Sequence, residues 1–252
     1  MNNFVGAYIT GLFDSKNACN SGTTATDLAR SLITDYVFWS IHVDEAGNLS
    51  YNNVPLATNG TVTSNFICLK AVIDKGRSEG NCERVWLSIG SGGTQDYTNI
   101  ANLLITGQES NLINNLLAVA DGLGIYGFDF DNEDQIGNVE VIVSLTRALY
   151  QSKDHLRFSF CPFGPSVESE RYWIECLTAI FQDLRVQPVE GFNLQCYAGG
   201  RDSDPIVWTQ AITVAQDTGV ENPASFIRPG LAVQGSANGP TYEPQQMAEK
   251  FQ

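Results

Sequence analysis

Short apolar runs separated by amphipathic stretches organise this chain. Residues 4–9, 36–43, 84–89, 125–131, 156–162, 191–197 and 227–233 read as strands, because each run is brief, largely apolar and bounded by turn-forming residues. Between them, residues 26–33, 65–75, 109–123, 139–151, 169–181 and 205–218 carry amphipathic patterns. Leu112, Ile113, Leu116, Leu117, Val119 and Ala120 show the helical period most clearly. Strand then helix, repeated without a break in composition, predicts parallel β–α units within one domain over residues 1–252. No linker or low-complexity segment divides the chain, and no internal duplication is visible in it.

The fold class this predicts is α/β, a (β/α)8 TIM barrel, and 252 residues match the roughly 250 typical of that fold. The count reaches seven strands, and the eighth is not identified. After the seventh, the chain enters a predicted helix over 245–251, whereas closure would need about 25 further residues. An open barrel would expose unpaired strand edges. The expectation is therefore that the natural protein continues, or that another element closes the gap.

Composition narrows the class of partner. Apolar residues make up 43% and charged residues only 17%, which marks a globular chain with a substantial core. A net charge of −14, from 28 acids against 14 bases, argues against nucleic acid and anionic membranes as partners. It fits a neutral or cationic substrate. No apolar run approaches the ~18 residues of a membrane-spanning helix. The N-terminus lacks a basic region followed by an apolar stretch and cleavage site, so the chain is either intracellular or shorn of a leader.

Six cysteines, Cys19, Cys68, Cys82, Cys161, Cys176 and Cys196, are scattered without a Cys-x-x-Cys, and there are two histidines, His42 and His155. Metal-ligand spacing is absent, so neither a zinc site nor any cofactor is expected. Cys161 and Cys196 fall in predicted strands and are expected to pack as small apolar residues. A Cys68–Cys82 bridge is the disulfide considered. Asn48-Leu-Ser and Asn59-Gly-Thr are glycosylation tripeptides if the chain is secreted.

The densest chemistry lies at 124–133, Gly-Ile-Tyr-Gly-Phe-Asp-Phe-Asp-Asn-Glu. Asp129, Asp131 and Glu133 alternate with Phe128 and Phe130, so a strand here turns the three acids to one face. Crowded, desolvated carboxylates raise one another's pKa, which keeps a carboxylic acid protonated near neutral pH. An exposed acidic strand end, or a cation site at Asp129 and Asp131, is the other reading.

This fourth strand resembles the Asp-x-x-Asp-x-Asp-x-Glu signature of family 18 glycoside hydrolases, the chitinase family, with Tyr126 in place of the first acid. Leu87-Ser-Ile-Gly90 followed by Ser91-Gly-Gly93 looks like the family's Ser-x-Gly-Gly segment, with Ser91 replacing one glycine. Gln195-Cys-Tyr197 resembles the Gln-x-Tyr of the plant-type branch, and 36–47 its second strand and following turn. The motifs stand in the family's order and cover most of residues 4–235.

The resemblance implies a carbohydrate substrate built from N-acetylglucosamine and a retaining, substrate-assisted reaction. Glu133 would be the general acid. Asp131 would orient the sugar's acetamido group, Asp129 would share a proton with Asp131, and Tyr197 would donate its hydroxyl to the acetamido group. Gln195, Tyr8, Trp208 and Ser88 complete the candidate site, Trp208 lining the cleft and Ser88 acting on the acids from inside the barrel. Trp39 and Trp86 are expected in the core. Gly90, Gly92 and Gly93 are expected to let the backbone approach the fourth strand rather than to touch ligand; a phosphate loop is disfavoured because no Gly-Lys-Ser/Thr follows. An endo-β-N-acetylglucosaminidase acting on N-glycan cores with the same acids is one alternative. A non-catalytic chitinase-like lectin, inhibitor or storage protein is the other, but loss of the catalytic glutamate or its neighbouring aspartate usually marks that class, and Asp131 and Glu133 are both present.

Overall fold

Seven strands of a parallel series are present near the positions that the apolar runs predict. The structure, a computed structural model, describes residues 4–133, 138–164, 166–197 and 202–231. These form an α/β fold with a largely parallel sheet, divided into two compact units, and the division falls within a helix and a strand near 143 and 158.

In the first unit, β1 (Gly6–Ile9), β2 (Asp35–Val43), β6 (Arg84–Ile89) and β7 (Gly127–Phe130) run parallel. Helices α1 (Gly22–Ala29), α2 (Phe66–Glu79), α3 (Asp96–Thr106) and α4 (Ser110–Leu123) connect them. Val85, Leu87, Phe128 and Phe130 are fully buried, and so are Trp86, Ser88, Ile89 and Asp129 between or beside them, because a parallel strand covered on both faces loses the alternation of a half-exposed one.

Apolar periodicity did not reveal an antiparallel meander, β3 (Leu49–Tyr51), β4 (Val54–Thr58) and β5 (Thr61–Val62), that continues from the end of β2. Its strands are too short to show a period. Its turns, Asn52-Asn53 and Asn59-Gly60, place both central residues at positive φ, the geometry that matches strand twist in a two-residue hairpin. Helix α3 was missed as well. Helix α1 lies four residues earlier than the predicted 26–33, and Leu32, which extended that pattern, is solvent-exposed.

The predicted Cys68–Cys82 bridge is not formed. Cys19 and Cys68 are joined instead, at a Cα–Cα separation of 5.6 Å. Cys68 sits in the first turn of α2 while Cys82 lies past its last turn, so about 17 Å of helix separates them, well beyond disulfide reach. Cys82, Cys161, Cys176 and Cys196 are buried and form no disulfide.

The division between units passes through α5 (Val139–Ser152) and β8 (Arg157–Phe160). The second unit continues with α6 (Val167–Leu184), β9 (Val189–Gln195), α7 (Pro205–Val214), α8 (Pro223–Phe226) and β10 (Ile227–Gly230), and β9 and β10 pair in parallel. Phe192 is central to its core, packing against Phe160, Trp208 and Phe226 at ring separations of 5.2–5.7 Å. Helix starts follow local chemistry: Ser166 caps α6 through the Ser169 amide, and Asp204 caps α7 through Ile206, with Pro205 in the first turn. The predicted helix over 245–251 and the last residues of the predicted seventh strand lie outside the described residues.

Candidate active site

Strand β7 carries Asp129 and, just past its end, Asp131 and Glu133. Parallel pairing with β6 sets Ser88 opposite Asp129, and the Ser88 hydroxyl donates to Asp129 Oδ2 at 2.8 Å. The Tyr8 hydroxyl, from β1, donates to the same oxygen at 2.9 Å. Two hydroxyl donors thus meet on one oxygen of a fully buried carboxyl.

Asp131 lies against this group. Its amide donates to the Ile89 carbonyl at 2.9 Å, which carries the β6–β7 pairing one residue past the strand. Its side chain is hydrogen-bonded to Glu133. Burial, and then the charges of Glu133 and Asp129, push the Asp131 carboxyl well above the usual carboxylate range, while a bond from Trp39 works in the other direction. The cluster therefore retains a proton to a higher pH than isolated carboxylates would. Glu133 is half-buried at the mouth of the group.

The glycines shape the backbone around these acids. Gly90 has φ +97°, and a Cβ there would lie 2.5 Å from the Asp131 carbonyl oxygen. A Cβ on Gly92 would lie 2.8 Å from Glu133 Oε2. Close backbone approach is thus the role of Gly90, as the sequence suggests, whereas Gly92 makes room for the Glu133 side chain and a Cβ on Gly93 would meet nothing within 4 Å.

Trp39 is the site residue that sequence reasoning missed. It was assigned to the core, yet it is half-buried and its Nε1 donates to Asp131 Oδ2 at 2.8 Å. The pairing of β2 with β6 shifts register between Phe38 and Ile41, and such an irregularity re-aims the side chains within it. Asn52 Nδ2 holds the Trp39 carbonyl at 3.2 Å. Next along the strand, Ser40 Oγ lies 2.8 Å from His42 Nε2, and His42 Nδ1 lies 2.9 Å from Asp96 Oδ2. Asp96 Oδ1 accepts from the Val43 amide at 2.7 Å, tying this stretch of β2 to the start of α3. No periodic signal in the sequence announces a register shift.

Tyr126 replaces an acid with an aromatic packing role. Its ring meets Trp86 edge-on at 5.0 Å and lies 5.8 Å from the Arg84 guanidinium. Arg84 Nη2 and Trp86 Nε1 both donate to Asp35, at 2.8 and 3.0 Å, so the buried charge in this region is supplied by β2. Trp86 is fully buried, as expected.

Tyr8, Ser88, Asp129, Asp131 and Glu133 are thus brought together in the first unit. Gln195, Tyr197 and Trp208 belong to the second. Gln195 ends β9, buried, with its amide bonded to the Pro162 carbonyl at 3.0 Å, and Tyr197 follows it, partly exposed. Trp208 does not line a cleft: it is 2% exposed and packed edge-on against Phe192, so it offers no ring face to a sugar. Its place in α7, at helical spacing from buried Ile212, makes it a core anchor. Among the described residues, no cluster of His, Cys, Asp and Glu is arranged to hold a metal ion, and no helix is long and apolar enough to cross a membrane.

No protein-family model matches the sequence, and comparison with curated proteins finds no match. Solved structures do match. A fungal endo-β-N-acetylglucosaminidase of glycosyl hydrolase family 18 superposes with a TM-score of 0.67 at 13% identity, covering 100% of this chain and 84% of that one. A chitinase from Aspergillus fumigatus gives 0.61 at 15% identity, covering 99% of this chain and 98% of that one. A chitinase-like agglutinin from Robinia pseudoacacia gives 0.61 at 17% identity, covering 90% of this chain and 68% of that one. The chain therefore has the α/β fold of the family 18 glycoside hydrolases, a fold that serves enzymes and at least one lectin.

Proposed function

We propose that this protein hydrolyses β-1,4 glycosidic bonds between N-acetylglucosamine units, in chitin or its oligosaccharides, with retention of configuration. The observation that carries this reading is Asp131, buried between Asp129 and Glu133, bonded to the latter and pushed well above the ordinary carboxylate range. That arrangement keeps a proton available at the edge of the site.

Glu133 gives its proton to the leaving glycosidic oxygen as the bond from that oxygen to the anomeric carbon breaks. The 2-acetamido oxygen of the same sugar forms the new bond to the anomeric carbon, giving an oxazolinium ion. Asp131 turns its carboxylate towards the acetamido N–H, orients the group and balances its positive charge. Asp129, held by Tyr8 and Ser88, takes up the share of the proton that Asp131 releases on turning. Water then attacks the anomeric carbon, loses a proton to Glu133, and the ring opens. No metal or cofactor takes part.

A second enzymatic reading is cleavage within the chitobiose core of N-glycans by the same acids. It is favoured by the likeness, over the whole chain, to the fungal endo-β-N-acetylglucosaminidase. Product analysis on chitin oligosaccharides and on an oligomannose N-glycan separates the two, with Glu133→Gln as control. Cleavage of either that falls by several orders of magnitude in the variant supports Glu133 as the acid. Saturable binding with no cleavage of either would replace the hydrolase with a lectin.

A further inference from the structure

Two Asn-x-Ser/Thr tripeptides lie on the β3–β5 meander, and their asparagines have opposite surroundings. Asn48 is committed to the fold. Its Nδ2 donates to Asp44 Oδ2 at 2.9 Å, and its Oδ1 accepts from Thr58 Oγ1 at 2.7 Å and Asn111 Nδ2 at 3.2 Å. Asp44 in turn accepts from the amides of Ala46 and Asn48, closing the turn after β2. A sugar on the Asn48 nitrogen would displace this network, which ties the turn both to β4 and to α4.

Asn59 is free of such duties. It sits exposed at the tip of the β4–β5 hairpin, with φ +48°, followed by Gly60 at +70° and by Thr61, also exposed and paired with Thr58. The tip is held by its backbone, since the Gly60 amide donates to Asn115 Oδ1 at 2.7 Å. The Asn59 side chain makes no hydrogen bond among the described residues and points no constraint at the core. A second observation indicates the compartment: the Cys19–Cys68 disulfide is a bond that oxidising, secretory environments make and keep.

We propose that Asn59 is an N-glycosylation site and that Asn48 is not. The transfer joins Asn59 Nδ2 to the anomeric carbon of an oligosaccharide carried on a polyprenyl pyrophosphate. The lipid pyrophosphate leaves, and the amide nitrogen gives up one proton. The product is a bulky polar group on an exposed turn, where it displaces no packing.

The test is to secrete the full chain from a eukaryotic host behind a cleavable leader and map its peptides by mass spectrometry, with and without reduction. The expected result is an oxidised Cys19–Cys68 pair, carbohydrate on most copies of Asn59, and none on Asn48. A full glycan and a single residual N-acetylglucosamine both count as occupancy, so the outcome does not depend on whether the protein trims its own glycan. Asn59→Asp, which tolerates the positive φ of the turn, should remove the whole mobility shift and leave the melting temperature within about a degree or two. A bare Asn59, carbohydrate on Asn48, or a reduced Cys19–Cys68 pair in the secreted protein overturns the proposal.

Discussion

The Trp39 indole nitrogen reaches Asp131 Oδ2 at 2.8 Å from β2, a strand that does not neighbour β7 but is separated from it by β6. That bond opposes the burial and the two like charges that push the Asp131 carboxyl upward. It gives β2 an electrostatic hold on the central acid of the cluster.

Trp39→Phe keeps the ring's packing and removes the donor. A hydrogen bond to a charged group is worth about 1.5–3 kcal/mol, so kcat/KM is expected to fall roughly 10- to 100-fold. Losing a donor that favours the Asp131 carboxylate should move the acidic limb of the pH–rate profile to higher pH. A loss of rate with an unmoved limb would reduce Trp39 to a packing residue.

Asp131 also makes a signed prediction for stability. Its carboxyl is raised in the folded chain and ordinary, near 3.8, in the unfolded one. Between those two values the folded state binds the extra proton, so stability falls as pH rises through the window, and the full cost is present above the folded value. Asp131→Asn removes the buried charge and leaves an acceptor for Trp39. Its melting temperature should exceed that of wild type at pH 8, and the gap should narrow towards pH 4. At about 2–4 °C per kcal/mol for a chain of this size, scanning calorimetry across pH reads the difference.

Ser88 and Tyr8 share one oxygen of Asp129, but Ser88 is fully buried while Tyr8 is 37% exposed. Water can replace the tyrosine hydroxyl far more readily than the serine. Ser88→Ala should therefore cost about 1.5–3 kcal/mol and Tyr8→Phe about 1 kcal/mol or less, compared by urea unfolding. The reverse order would mean that access to water does not set the worth of these two bonds.

The acids were legible because a two-residue spacing in a strand assigns a face without any knowledge of tertiary structure. Ser88 and Tyr8 came only from the family resemblance, Tyr8 as a residue facing the sugar, whereas in the structure both hydroxyls meet on Asp129 Oδ2. Trp39 was not legible, since an alternation pattern counts residues and cannot register the shift between Phe38 and Ile41. Trp208 was misread for a related reason: a tryptophan just after a loop gives no sign of depth, and helix α7 turns it onto Phe192. The meander was invisible because its strands are shorter than the window that reveals a period, although Asn59-Gly60 was a hairpin signal in plain view. Among the described residues, the seven strands of the parallel series lie where the short apolar runs placed them.

Gly90 and Gly93 both have positive φ, yet only Gly90 abuts backbone. A Cβ on Gly90 would lie 2.5 Å from the Asp131 carbonyl oxygen, whereas one on Gly93 would meet nothing within 4 Å. Gly93→Ala should cost about 1–2 kcal/mol from conformational strain alone. Gly90→Ala adds a clash with backbone that cannot rotate away, and should cost several kcal/mol or abolish soluble expression. Chemical denaturation of the two variants reads the difference, and equal costs would show that the β6–β7 approach is not tight.

The Cys19–Cys68 bridge closes a loop whose ends are 49 residues apart. Chain entropy alone assigns such a loop about 4 kcal/mol of stabilisation at 25 °C. The bridge ties the segment before α1 to the first turn of α2, and Cys68 is buried beside the Leu12 carbonyl. Replacing both cysteines with alanine avoids leaving a lone thiol and should lower the melting temperature by roughly 8–16 °C. Treating wild type with a thiol reductant should produce a similar drop and leave the double variant unchanged. A reductant that lowered both equally would show that the stabilisation does not come from this bond.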